Sequence, residues 1–539
     1  MLHSAVAQGT APPKVEKRPL VTEGDRLRGS YGPFRANNDL LYYGLHVRVD
    51  AEKHLLKGSN RIRFKMLEDG TRIQLDLVPV FRVDKILLDE SKSASTRLKH
   101  VRAAGRTVYV DFPRTLKKGK IYTIEFFYSG EPVEMGRFGG FIFKKDPTGR
   151  PLVNTACEEE GASVWWPNKD QWRDEPEGMD ISVEARSDLV EVSGGRFQGK
   201  YDLGDGYTRW DWRVQYPINN YDVSLNIGKY VHFADTYDGL TLDYYVFPED
   251  LEKAKRHFVQ VKDMLKAYIH YFGEYPFPKD GYKLVEALYS GVENQTAITY
   301  GNHFENGYLG RPKSGIGTRF DFIIIHESAH EWFGNSITAK DRSDMWIHEG
   351  WANYCESLFV EFMWGKADGL TYLNTGKEDV KNTRPVISER DIFSTPPDDQ
   401  YKKGALFLNT VRSMVDDDVV WFKLLHDYYQ HFKYQTIMTT DVAAFFNQQT
   451  GMNLAPIFDQ YLRHAAIPVL ELRFDETAHS VSYRWKVDEP GFAMPVRLGK
   501  EGAWQMIWPT EEWKTMPTSL GRGDMDVQSE LYYVGVSKS

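Results

Sequence analysis

Phe322-Ile-Ile-Ile-His-Glu-Ser-Ala-His-Glu-Trp-Phe-Gly-Asn335 is the stretch that decides how this chain folds. His326 and His330 stand four positions apart, so on a helix both imidazoles lie on one face and can reach one ion. Glu327 is displaced from that axis, where it can face a water on the metal. The run Phe322-Ile-Ile-Ile325 implies a buried helix, and two buried histidines need partners. Thr318 and Asp321 fit a loose form of the capping-box spacing, which sets a helix over Arg319 to Phe333. The plain alternative is a pair of structural histidines on a helix.

Glu349 weighs against that alternative. It follows His330 with 18 residues between them, inside Met345-Trp-Ile-His-Glu-Gly-Trp-Ala352, which reads as the start of another helix. Two helices joined by a loop bring its carboxylate beside the imidazoles. Its neighbour His348 is a rival ligand, but adjacent helix positions point about 100° apart, so only one can face the ion. Three protein ligands and an open position are the arrangement of catalytic zinc, one ion per chain, although related ions accept the same donors.

Outward from this motif the chain changes character twice. From about Tyr42 to Lys229 apolar residues alternate with polar ones, as in Leu45, Val47 and Val49, or Tyr221, Val223, Leu225 and Ile227. That is the pattern of half-buried strands. After about Tyr237 helical spacing takes over: Leu251 to Tyr271, Trp346 to Phe362, Gly404 to Val415 and Thr440 to Gln449, with an extended stretch from Tyr282 to Tyr300. Alternation returns at Leu470, Leu472 and Phe474 and again at Val481, Tyr483, Trp485 and Val487. The class is multidomain α+β: a flexible arm over 1–28, an all-β domain over 29–236, a mainly helical domain with a small sheet over 237–466, and a small β-sandwich over 467–539.

Bulk properties narrow the classes. A net charge of -9 without any long Lys/Arg run argues against a nucleic-acid partner. No stretch approaches the roughly 20 apolar residues of a membrane-spanning helix. Two cysteines, Cys157 and Cys355, have no paired spacing and read as small buried residues. Ala5-Val6-Ala7 before Gln8 has the small-x-small pattern of a signal-peptidase site, without the basic and apolar stretches that precede one. Export to the periplasm or outside the cell is the expectation, a cytoplasmic location the alternative. Oligomeric state is not legible.

The sequence resembles the aminopeptidase N group of zinc metallopeptidases, in which H-E-x-x-H is followed after 18 residues by Glu. Beyond the zinc signature, Phe272-Gly-Glu-Tyr-Pro-Phe-Pro278 is similar to the family's lead-in to its catalytic sheet. Gln400-Tyr-Lys-Lys-Gly-Ala405 is similar to the segment carrying its catalytic tyrosine. The resemblance spans roughly Tyr42 to Pro468. It implies a thermolysin-like catalytic domain and peptide substrates with a free N-terminus. Glu327 becomes the general base on a zinc-bound water, and Tyr401 the donor to the oxyanion. The substrate segment, usually G-x-M-E-N, is here Ser290-Gly-Val-Glu-Asn294. Gly291 and Asn294 fall to substrate binding and Glu293 to the α-amine, while Ser290 and Val292 depart from the pattern. Thr155-Ala-Cys-Glu158 resembles the loop that supplies a second amine contact, Glu158. The large helical domain that commonly ends the family has no room before Ser539. A related epoxide hydrolase or endopeptidase, or a catalytically dead peptide-binding scaffold, are the competing readings.

Overall fold

The computed structural model describes residues 20–91, 94–136, 138–311 and 315–539. The arm expected over 1–28 lies outside the described residues up to 19, as does the Ala5-Val6-Ala7 pattern. From Glu23 to Gly29 the chain is not an arm but a short helix, capped by Thr22, whose hydroxyl accepts from Asp25 N at 3.1 Å.

The alternating strands form an eight-stranded sheet. It runs from Arg196–Asp202 through Tyr207–Val214, Met179–Arg186, Asn38–Asp50, Leu55–Met66, Ile121–Gly130 and Phe81–Ser91 to Ala94–Arg97. Leu45, Val47 and Val49 point into its core, while His46 faces solvent, as a period of two requires. A five-stranded sheet of the same region contains Pro151–Ala156, whose end delivers the loop with Glu158.

The second region is built on a sheet ordered Val231–Tyr237, Leu240–Val246, Tyr282–Glu286, Ile298–Tyr300 and Gly291–Val292. Val231–Tyr237 therefore belongs to this sheet, and the change of region falls after the strand Leu225–Gly228 rather than at 236. Period-two alternation reveals a strand but not the sheet it joins. The short strand Gly291–Val292 lies at the edge, antiparallel to Ile298–Tyr300. The helix expected over Leu251 to Tyr271 is two, Leu251–His257 and Gln260–Phe272. Phe258, at the break, packs on Tyr244 and Tyr300 of the sheet.

After Val469 the chain forms two β-sheets of four and three strands. Among the described residues no helix is long and apolar enough to cross a membrane.

Candidate metal centre

The motif helix is Phe322–Ala329, shorter than the sequence suggested, and its N-cap is Asp321 rather than Thr318. Asp321 Oδ1 accepts from Ile324 N at 3.1 Å. Its other oxygen receives Tyr300 Oη and pairs with His257 Nε2, both at 2.7 Å. A cap of this kind contributes about 1 kcal/mol, and this one also ties the helix to the sheet. Ile323, Ile324 and Ile325 are at most 1% exposed. Burial of each stabilises the helix's seat by about 1.5–3 kcal/mol.

A second helix, Trp346–Trp364, carries Glu349 in its first turn, and a third, Asp399–Val415, carries Tyr401. These two cross at glycines. A Cβ on Gly350 would stand 3.1 Å from Gly404 Cα, and one on Gly404 would stand 2.8 Å from Gly350 Cα. The contact follows Glu349 by one residue and Tyr401 by three, so close approach there draws the Tyr401 ring to 6.2 Å from that of His326.

One ligand atom each from His326, His330 and Glu349 falls within 4.8 Å of the others. Glu349 Oε2 lies 3.5 Å from His326 Nε2 and 3.4 Å from His330 Nε2. All three residues are nearly fully buried. Their other ring nitrogens are engaged: His326 Nδ1 meets Glu356 Oε1 at 2.8 Å, and His330 Nδ1 meets the Phe333 carbonyl at 3.0 Å. These partners hold the protons on Nδ1 and aim both Nε2 lone pairs at one point. His330 Nε2 and Glu349 Oε2 are buried with no hydrogen-bond partner among the described residues. Two imidazoles and a carboxylate converging this way fit a zinc ion. His348 is otherwise occupied: its Nε2 accepts from Ala339 N at 2.8 Å, and burial holds it neutral, down at about 3.

Beside this centre a second constellation forms. Carboxylate oxygens of Glu158, Glu293 and Glu349 also lie within 4.8 Å of one another. Burial pushes the Glu158 carboxyl well up, and the charges of Glu293 and Glu349 push it further. Burial likewise takes Glu327 up to about 7. Three buried acids at such range call for cations. Glu293 is held by a chain from the His348 ring: Nδ1 to Tyr221 Oη at 3.3 Å, then Tyr221 Oη donating to Glu293 Oε1 at 3.0 Å. Its carbonyl accepts from Asn335 Nδ2 at 2.9 Å. The Glu158 carbonyl accepts from Arg342 Nη1 at 2.8 Å.

Gly291 sits against the metal centre: a Cβ there would come within 2.7 Å of Ile323 Cγ2 and 3.0 Å of Glu327 Cγ. Asn294 is buried behind Glu293, with its amide unpartnered among the described residues. Val292 packs on Ile142 and Ala156, so the departure at 292 falls on a contact with the first region. Four supporting residues escaped the sequence reading: Tyr221, Arg342, Asn335 and Glu356. Glu356 had a signal, since it lies seven residues after Glu349 and thus on the same helix face. It also accepts from Asn353 Nδ2 and Tyr372 Oη, both at 2.6 Å. Both cysteines are buried and free.

Residues 40–221 match the peptidase M1 N-terminal domain and residues 256–461 the peptidase family M1 domain. The puromycin-sensitive aminopeptidase of Caenorhabditis elegans is 24% identical over 67% of this chain and 40% of its own length. Bovine aminopeptidase N is 28% identical over 40% of this chain and 22% of its own. The chain thus spans about two-fifths or less of these relatives. An M1 zinc metallopeptidase of Deinococcus radiodurans, solved as a mutant with a Tyr-Ser-Ala substrate, superposes with a TM-score of 0.65 at 20% identity. That superposition covers 80% of this chain and 96% of the other. With one M1 match falling on each of the two regions, and the His326, His330 and Glu349 cluster inside the second, the chain belongs to peptidase family M1, the aminopeptidase N family of zinc metallopeptidases.

Proposed function

We propose that the protein is a zinc-dependent aminopeptidase that releases the N-terminal residue of peptides. The observation that supports this reading is that carboxylate oxygens of Glu158 and Glu293 lie within 4.8 Å of each other and of the metal donor Glu349. A substrate ammonium there pairs with Glu293 and Glu158, and this pairing sets the first peptide bond over the centre. Zinc held by His326, His330 and Glu349 supplies Lewis-acid polarisation of the scissile carbonyl and acidifies water.

The remaining work falls to side chains. Glu327 accepts a proton from the attacking water and delivers it to the leaving amine. Tyr401 donates a hydrogen bond to the oxyanion as it develops. Gly291 leaves the Glu327 carboxylate its room, and the edge strand Gly291–Val292 offers its backbone to the peptide. The solved relatives include one with Tyr-Ser-Ala and one with L-tryptophan, both compatible with a free amine at this position.

The test is cleavage of one short peptide, free and N-acetylated, with and without a chelator. Cleavage of the free peptide alone, abolished by chelation and restored by zinc, is the expected result. Equal cleavage of both forms would remove Glu293 and Glu158 from amine recognition. Cleavage of neither would favour a binding scaffold.

A further inference from the structure

Behind the Glu158 loop lies a small cavity of about 20 Å³. Arg28 of the N-terminal helix and Arg342, which precedes the Glu349 helix, line it together with Asp170, Asp341, Trp172 and Phe393. Each arginine is only 8% exposed. Their flat faces are covered: Arg28 Cζ lies 3.3 Å from the centre of the Phe393 ring, and Arg342 Cζ lies 4.6 Å from that ring and 5.1 Å from Trp172. A guanidinium covered on its faces can satisfy its donors only along its edges.

Those edges are unfilled. Nε and Nη2 of both Arg28 and Arg342 have no hydrogen-bond partner among the described residues. Neighbouring charges are spoken for: Arg106 pairs with Glu160 at 2.8 Å, and Arg173 with Asp341 at 3.2 Å. Asp170, 3.5 Å from Arg28 Nη2, is the one carboxylate within ion-pair distance of either cavity arginine among the described residues. It also receives Ser163 Oγ at 2.5 Å. The two cavity arginines thus face Asp170 and an Asp341 already paired with Arg173, and neither carboxylate fills the free guanidinium edges. Burial, with the charge of Arg106 behind it, lowers the Arg28 guanidinium to about 9, a sign of the same deficit.

We propose that this cavity binds a small monovalent anion of chloride size, gripped by the edges of Arg28 and Arg342. The space suits one such particle, since about 10–15 Å³ already accommodates a water. The anion supplies the acceptor that the free Nε and Nη2 edges lack. It also joins the N-terminal helix to Arg342, the residue that holds the Glu158 carbonyl. Occupancy thereby sets the position of the loop that faces the substrate amine.

Bromide in place of chloride provides the direct test. A crystal grown with bromide is expected to show an anomalous peak in the cavity, within hydrogen-bond distance of both guanidiniums. At fixed ionic strength, chloride is expected to raise the melting temperature over gluconate by about 2 °C. Arg28→Met and Arg342→Met abolish that difference. A water with no anomalous signal at saturating bromide, or identical melting in chloride and gluconate, overturns the proposal. A rise in KM for free-amine peptides on moving to gluconate is also expected. That effect alone rests on the proposed function, so a bromide peak without it would sink the aminopeptidase link and leave the anion site standing.

Discussion

The metal half and the amine half of the site are built differently. His326, His330 and Glu349 come from two helices of one region, and the ring nitrogens facing away from the centre are fixed by Glu356 and the Phe333 carbonyl. The two acids proposed to face the substrate amine come from opposite sides of a boundary. Glu293 follows the edge strand of the catalytic sheet and is held through Tyr221 and Asn335. Glu158 lies on a loop of the first region, and its backbone is held by Arg342. The metal donors thus sit on local structure of one region, and the proposed amine contacts on a joint between two.

Replacing the base should break the chemistry while leaving both halves assembled. Glu327→Ala is expected to lower kcat by about 10³–10⁴-fold with zinc content unchanged, read by turnover and metal analysis. Near-normal turnover would defeat the assigned role.

The amine half should respond unequally. Glu293→Gln is expected to cost about 100-fold in kcat/KM on free-amine peptides, and Glu158→Gln about 10-fold, because loss of a charged hydrogen bond is worth about 1.5–3 kcal/mol. The larger loss is assigned to Glu293 because its carboxylate is itself held, by Tyr221, and its backbone by Asn335. Equal losses would erase the distinction between an acid whose carboxylate is held and one held only through its backbone.

The smallest effect on turnover is expected behind the metal. Glu356→Gln keeps a hydrogen-bond acceptor for His326 but removes charge, so zinc affinity should fall about 10–100-fold. Turnover at saturating zinc should stay within a few-fold. A chelator competition assay checks the first figure and steady-state kinetics the second.

What sequence revealed of this site follows the range of the contacts involved. His326 and His330 are related by one helical turn, and Glu349 by a helix start, so their convergence is written in local spacing. Glu356 was equally local and was passed over because its partner is a ring nitrogen, not the ion. Tyr221 and Arg342 were beyond reach: each touches the site only after the first region packs on the second, and neither contact has a periodicity. The fold behaved alike. Strands and helices were legible from apolar patterning, yet Val231–Tyr237 was counted with the wrong region, since alternation is the same in either sheet. The break at Phe258 was missed because a tertiary aromatic cluster, not a proline or glycine, turns the chain there.

The placement of Val231–Tyr237 bears on how this protein can be cut. A fragment beginning at residue 256, where the M1 domain match starts, would lack both Val231–Tyr237 and Leu240–Val246. Tyr282–Glu286, buried along its whole length, would then become a bare sheet margin rich in Tyr, Leu and Val. Such a margin invites pairing with other chains. The smallest soluble catalytic unit is therefore set by the sheet's hydrogen bonding, and it starts upstream of Val231.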